Sequence, residues 1–305
     1  MPSIAAIRAL NLSRVPSTYI PVGVFVGGTS GIGQGMAEAF ARMTKGRANI
    51  VIVGRNQTAA EAIIAKLPQA AESKYEFVKC DATLMRNVEA ASKEIMAKHS
   101  KINFLVMSPG FFSLKGFDAS EEGIDRKLAT HYYARWKFVD GLLPALKSAK
   151  AAGEDAKVLS VLGAGYGGPI DIDDLGLKKT FSLSNAAKAA ATYNDLMMEE
   201  YAERNPELTF SHSSPGAVAT NIASSAQSAT MRFFAPVMNV AAKVLATSPA
   251  DCAEYMWHGI FSNTTGAFRI GSRGEEIGKK DYFGDEEQRK ALWEHTEKEV
   301  RTSSS

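Results

Sequence analysis

The feature that most limits what this chain can fold into is a glycine-rich run over residues 24–35, Val-Phe-Val-Gly-Gly-Thr-Ser-Gly-Ile-Gly-Gln-Gly. It sets Gly27, Gly31 and Gly33 between a short apolar stretch of strand character and the first turn of an amphipathic helix. Glycines at these points let backbone pass close to backbone, and they leave the N-terminus of the helix open to an anion with no side chain in the way. A lone glycine cluster is a turn; one that follows a strand and opens a helix predicts a phosphate cradle.

The rest of the chain repeats the strand-then-helix alternation. Apolar runs at 22–27, 49–54, 75–79, 104–107, 158–161, 209–213 and 267–270 predict strands, each too short for a helix. Helical patterns occupy 32–43, 58–66, 87–98, 121–150, 184–203, 250–261 and 286–300. This order predicts the α/β class, a doubly wound Rossmann fold whose parallel seven-stranded sheet carries helices on both faces. No repeat or linker divides the chain. The expectation is one domain over 21–305, including a substrate lid at about 224–248 and a C-terminal helix, preceded by an N-terminal arm at 1–20 and ending in a frayed Ser-rich tail.

Composition narrows the partners. The 305 residues are 45% hydrophobic, enough for a large core, and a formal charge of +2 offers no basic field for nucleic acid. Cys80 and Cys252 are too few for a disulfide framework and read as buried fillers in a reducing compartment. No run of eighteen apolar residues and no leader pattern stands out, so the expected setting is cytoplasmic, with no membrane span and no metal site. A small molecule is the expected partner.

Thr29, Ser30 and Ile32 complete the cradle. The second strand pattern ends in Gly54-Arg55-Asn56, where a carboxylate would grip the ribose hydroxyls of NAD. Arg55 instead offers a planar cation to a 2′-phosphate, so the expected cofactor is NADP.

With its glycine spacing, the chain resembles the short-chain dehydrogenase/reductase family over nearly its whole length. The resemblance implies that Asp81, in Cys80-Asp81-Ala82, meets the adenine amino group, and that Ser108 and Gly110, in Met107-Ser108-Pro109-Gly110, stand where the family has Asn-Asn-Ala-Gly. Ser214-Pro215-Gly216-Ala217-Val218-Ala219-Thr220 resembles the segment that lies against the nicotinamide, which assigns Pro215, Gly216, Val218 and Thr220 to the cofactor. Asp173-Asp174-Leu175 and Leu292-Trp293-Glu294 resemble the branch holding retinol dehydrogenases and fungal tailoring enzymes. By their residue type alone, Asp173 and Asp174 read as a turn or helix cap.

The family's proton donor is a tyrosine beside a lysine, in the pattern Tyr-Ser-x-Ser-Lys, helped by a serine and an asparagine. Here that pattern aligns with Phe181-Ser182-Leu183-Ser184-Asn185, the serine with Gly163 and the asparagine with His131. Ser160 lies three residues before Gly163, an odd offset that in a strand points to the other sheet face. A shifted register offers Ser184 and Lys188 on one helix face. Tyr166, in the loop after the fifth strand, and His131 are the other candidate acids. Met231-Arg232-Phe233-Phe234-Ala235-Pro236-Val237-Met238 falls in the lid region and suits a hydrophobic substrate such as a polyketide or terpenoid of secondary metabolism. The alanine-rich stretch 184–203 could pair two subunits as a homodimer. The leading expectation is an NADP(H)-dependent oxidoreductase with a non-standard proton donor. A redox-neutral cyclase, isomerase or dehydratase, or a non-catalytic NADP(H)-binding protein, are the alternatives.

Overall fold

A computed structural model describes residues 2–219 and 246–301. Seven strands form one sheet: β1 (Val22–Val26), β2 (Asn49–Gly54), β3 (Tyr75–Lys79), β4 (Phe104–Met107), β5 (Lys157–Val161), β6 (Thr209–Ser213) and β7 (Gly266–Ile270). Their order is β3-β2-β1-β4-β5-β6-β7 and every pairing is parallel. The order reverses between β1 and β4, so a crevice opens there at the carboxyl ends of the strands.

Alternation along the strands sends side chains to two cores. Val24, Val51, Leu105 and Val158 face one side, where α4 (Met85–Lys98), α6 (Ala134–Ala151) and α7 (Leu183–Arg204) pack. Phe25, Ile52, Val106 and Leu159 face the other, against α2 (Gly31–Met43) and α8 (Pro249–Ser262). On that second side Trp257 stacks on Phe40 with ring centroids 5.0 Å apart and donates its indole N–H to the Met36 carbonyl at 3.0 Å. The C-terminal helix α9 (Glu286–Glu299) closes the first side, its Trp293 meeting Tyr201 at 4.8 Å between centroids. The short helix α3 (Gln57–Ile64), capped by Asn56, lies beside β3, and the single turn α5 (Arg126–Leu128) packs against α7.

Two expectations about the helices change. Within 1–20, read as an arm, α1 (Ile4–Arg14) packs on α8, with Asn11 Nδ2 donating to the Glu254 carbonyl and carboxylate at 2.9 Å each. The predicted helix at 121–150 starts instead at Arg126, because Asp125 takes the N–H groups of Lys127 and Leu128 as an N-cap. Glu122, placed in that helix by its pattern, turns its carboxylate to the N-terminus of α4, accepting from Met85 and Arg86 N–H at 2.5 and 3.0 Å. Between α5 and α6 the chain makes a π-helical turn (Ala129–Tyr133) that holds His131. Such one-turn widenings are frequent at functional sites.

Candidate active site

The glycine loop lies at the crevice between β1 and β4. Gly27 and Gly31 take φ of +80° and +59°, in the left-handed region that side chains resist. A Cβ on Gly33 would stand 2.5 Å from Ser108 Oγ and 2.6 Å from the Gly27 carbonyl oxygen, so only glycine lets α2 start this close to the end of β4. Ser30 occupies the N-cap of α2 and its side chain makes no capping bond. By contrast Ser3, Asn56, Ser182, Ser248 and Asp285 all cap their own helices, and Glu122 covers α4. The first N–H groups of α2 thus meet no acceptor among the described residues, and they point into a cavity of about 420 Å³.

Gly27, Thr29, Ser30, Gly31, Ile32, Arg55, Asp81, Ser108 and Gly110 line this cavity, with Cys80, Phe111 and Thr130 among their neighbours. Arg55 is exposed at its rim, and no hydrogen bond or ion pair ties it to any described residue. Asp81 accepts from the Thr83 N–H at 3.0 Å, which fixes the carboxylate at the β3 end. Cys80 is buried there and its thiol is pushed up to about 12 by burial and by Asp81, so it stays protonated.

A second cavity of about 390 Å³ adjoins the first, lined by His131, Leu162, Gly163, Tyr166, Ala187, Ala190, Ala191 and the Ser214–Ala217 segment with Pro215 and Gly216. Their junction is at Gly110, where a Cβ would come 3.5 Å from His131 Nε2. Val218 sits further on, bridged to Thr247 and packed on the α2 side of the sheet, in neither cavity lining. Thr220 and the stretch 231–238 lie outside the described residues.

The proposed acids are placed unequally. Tyr166 is on the cavity wall but 71% exposed. His131 turns its ring into the cavity beside Phe111, at 6.1 Å between centroids, and no side-chain hydrogen bond holds it among the described residues. Burial, with the charges of Arg135 and Lys127, pulls its pKa down to about 3. A ring so shifted is neutral at physiological pH, so as a candidate acid it offers a neutral N–H or a lone pair. Ser184 and Lys188 line neither cavity; both are exposed, and the Lys188 stem lies along Gly168.

Phe181 and Asn185, which align with the family's acid, line neither cavity. Phe181 packs edge-on against Phe117 at 5.7 Å, with the Lys127 ammonium 4.9 Å from its ring centroid, and Asn185 donates to the Thr180 carbonyl. The α7 residues that face the cavity are Ala187, Ala190 and Ala191. A Cβ on Gly163 would stand 3.8 Å from that of Ala191, which makes this face the one opposite β5. Ala187 and Ala191 have the Tyr-x-x-x-Lys spacing. Alanine carries no chemical signal in a sequence, so only the spacing along the helix from Gly163 points to these positions.

Behind this wall lies a polar network that the sequence reading missed. Arg135, fully buried on α6, donates to Ser160 Oγ (2.6 Å) and to the carbonyls of Val161 (2.9 Å), Pro109 (2.7 Å), Met107 (3.3 Å) and Thr130 (3.5 Å). Burial pulls the guanidinium down to about 9, so it keeps its charge at neutrality. Ser160 Oγ donates to Asn194 Oδ1 at 2.7 Å, and Asn194 Nδ2 donates to the His131 carbonyl at 2.9 Å, which holds the π-turn open. On the other flank the Gly163 N–H donates to His212 Nε2 at 3.1 Å, and His212 Nδ1 meets Asp195 at 2.6 Å. That pattern sets the His212 tautomer and fixes the Gly163 backbone. Asp174, in the loop before α7, accepts from the N–H groups of Lys178, Lys179 and Thr180, the turn role expected for it.

A doubly wound parallel sheet with a glycine cradle at its switch point defines a Rossmann-class protein. The sequence model of the family described as short chain dehydrogenase matches residues 22–230, and the chain belongs to that family. A relative from Emericella nidulans, named as an oxidoreductase, is 39% identical over 225 residues, which covers 73% of this chain and 65% of that protein. Another oxidoreductase, from Emericella variicolor, is 36% identical over 72% of this chain and 64% of its own length. The matched part thus spans just under two thirds of these relatives. Among solved structures, an alcohol dehydrogenase from Thermococcus sibiricus, complexed with 5-hydroxy-NADP, superposes with a TM-score of 0.61 at 17% identity over 85% of this chain and 99% of that one. Among the described residues no helix is long and apolar enough to cross a membrane, and no group of three or more His, Cys, Asp and Glu could hold a metal.

Proposed function

We propose that the protein is an NADP(H)-dependent oxidoreductase acting on a hydrophobic small molecule, with the family's serine, tyrosine and lysine positions taken by Gly163, Ala187 and Ala191. The observation that carries this reading is the adjoining pair of cavities, one with a free helix N-terminus and an unpaired arginine, the other apolar and entered past His131. The donor set fits a dinucleotide: the α2 N–H groups would take the pyrophosphate, Arg55 a 2′-phosphate, Asp81 the adenine edge, and Pro215 and Gly216 the nicotinamide side. When bound, that cofactor supplies or accepts a hydride.

The chain's own residues do the rest. The alanine and glycine wall leaves room for a bulky apolar skeleton. His131 donates its neutral N–H to the substrate oxygen, in a site where the Arg135 charge favours developing negative charge. With alanines on this face of α7, the substrates that suit the wall are conjugated enones, whose developing negative charge is delocalised. A secondary-metabolic setting is compatible with the Emericella relatives named as oxidoreductases, a cytoplasmic location suits the two free buried cysteines, and a homodimer is part of the proposal.

The same alanine wall supports a second reading, a redox-neutral cyclase, isomerase or dehydratase in which the cofactor is structural. Purified protein titrated with NADPH and then given enones, iminium ions and simple ketones separates the two. Oxidation of NADPH by the enones and not by the simple ketones is expected. Tight NADPH binding with no oxidation by any class moves the assignment to the redox-neutral reading, and no NADPH binding removes both.

A further inference from the structure

Arg135 is a fixed cation with no acidic partner among the described residues. Its five contacts are all neutral oxygens, four carbonyls and one hydroxyl. No carboxylate lies within ion-pair distance among the described residues, and residues 220–245 contain no Asp or Glu at all. The neighbouring cation Lys127 differs, since Asp125 balances it at 3.2 Å. A buried charge usually comes with a partner, because removing it from water costs several kcal/mol. Here carbonyl dipoles from the ends of β4 and β5 replace a counter-ion, and they leave the net charge in place.

That charge is placed where the two cavities meet. Pro109 and Thr130, whose carbonyls Arg135 holds, line the cofactor cavity; Val161 precedes Leu162 and Gly163 of the second one. His131, on the junction, feels the field directly. A nicotinamide ring is a cation when oxidised and neutral when reduced, so a fixed positive charge at this junction acts against one redox state only.

We propose that Arg135 makes the site a selector of the reduced cofactor, held more tightly as NADPH than as NADP⁺. This rests on the nicotinamide reading given under Proposed function. The site is loaded with the reduced form and lets the oxidised form go, which limits inhibition by NADP⁺. The adenine half contributes equally to both states, so adenosine 2′,5′-bisphosphate, which lacks the ring, reports the shared part of the affinity.

The test is equilibrium binding of NADPH, NADP⁺ and adenosine 2′,5′-bisphosphate to the full chain and to Arg135→Met and Arg135→Lys, by calorimetry. In the unmodified protein NADPH is expected to bind about tenfold more tightly than NADP⁺ or better, the size of effect one unit charge has over a short path through protein. Arg135→Met should bring the ratio to within about threefold with the bisphosphate affinity unchanged, and Arg135→Lys should preserve it. If Arg135→Met does not fold, Arg135→Gln keeps donors for the Pro109 and Val161 carbonyls without the charge and gives the same readout. Equal affinities for the two redox states in the unmodified protein, or a ratio that survives loss of the charge, overturn the proposal while leaving the cofactor assignment intact. Failure of all three ligands to bind overturns the cofactor assignment itself, and this inference with it.

Discussion

The two walls of the crevice are built on opposite terms. The β1–α2 wall keeps every device a dinucleotide needs: glycines at positive φ, an uncapped helix N-terminus and a free arginine. The α7 wall sets Ala187 and Ala191 one turn apart near Gly163, and on the proposed reading these three hold the positions of the family's tyrosine, lysine and serine. Binding and chemistry are therefore separable in one fold. A cradle depends on backbone shape, which a few side chains outside it cannot alter, whereas acid catalysis depends on single atoms that one substitution removes.

The comparison breaks most visibly at Gly33. Gly33→Val forces a branched side chain into Ser108 Oγ and the Gly27 carbonyl, and we expect a loss of about 1–3 kcal/mol in stability together with loss of measurable NADPH binding, read by thermal melting and by nicotinamide fluorescence. NADPH binding at unmodified strength would show that the cradle tolerates side chains. Restoring the other wall should work in the opposite direction. The triple variant Gly163→Ser, Ala187→Tyr, Ala191→Lys is expected to raise NADPH oxidation by simple ketones roughly 10²-fold or more, within the usual range of general-acid help. Phe181→Tyr with Asn185→Lys should give no gain, since those side chains face Phe117, Lys127 and Thr180. The reverse outcome would reinstate the register read from Ser182 and Ser184.

His131 lies between the walls and its effect is intermediate. His131→Phe is expected to lower turnover about 10²-fold with the best enone substrate, and neither protein should show an inflection near pH 6.5 in kcat. Stability gives an independent reading with a definite sign. Unfolded, this imidazole takes a proton near 6.5; folded, only near 3, so acidification through that window favours the unfolded chain. The melting temperature of the unmodified protein should fall more steeply between pH 6.5 and 3 than that of His131→Phe. Parallel curves would mean the ring is solvated and its pKa ordinary. The smallest expected effect is at the rim: Arg55→Ala should weaken NADPH by about tenfold and leave NADH unchanged, because only the 2′-phosphate reaches that cation. An equal loss for both cofactors would remove the 2′-phosphate from its role.

Much of this was legible in the sequence, for reasons that can be stated element by element. The central strands β1, β2 and β4 are short apolar runs because both faces of a parallel sheet are buried there, so Val22–Val26 and Asn49–Gly54 declare themselves. The glycine loop is legible because no other residue meets its backbone demands. What stayed hidden lacks a local signature. Arg135 sits in a helical run where arginine usually means surface, and only the ends of β4 and β5, closing over it, bury it among carbonyls. Glu122 fits a helix pattern and became a cap because α4 begins beside it.

The sequence by itself therefore determined the sheet, the cradle and the kind of ligand that a cradle takes, since these follow from periodicity and from the conformational freedom of Gly27, Gly31 and Gly33. Only the tertiary structure decided which face of α7 meets Gly163, that His131 is neutral, and that an unpaired arginine stands behind the junction. Those are matters of what packs against what, and a field or a burial exists only once the chain has closed around it.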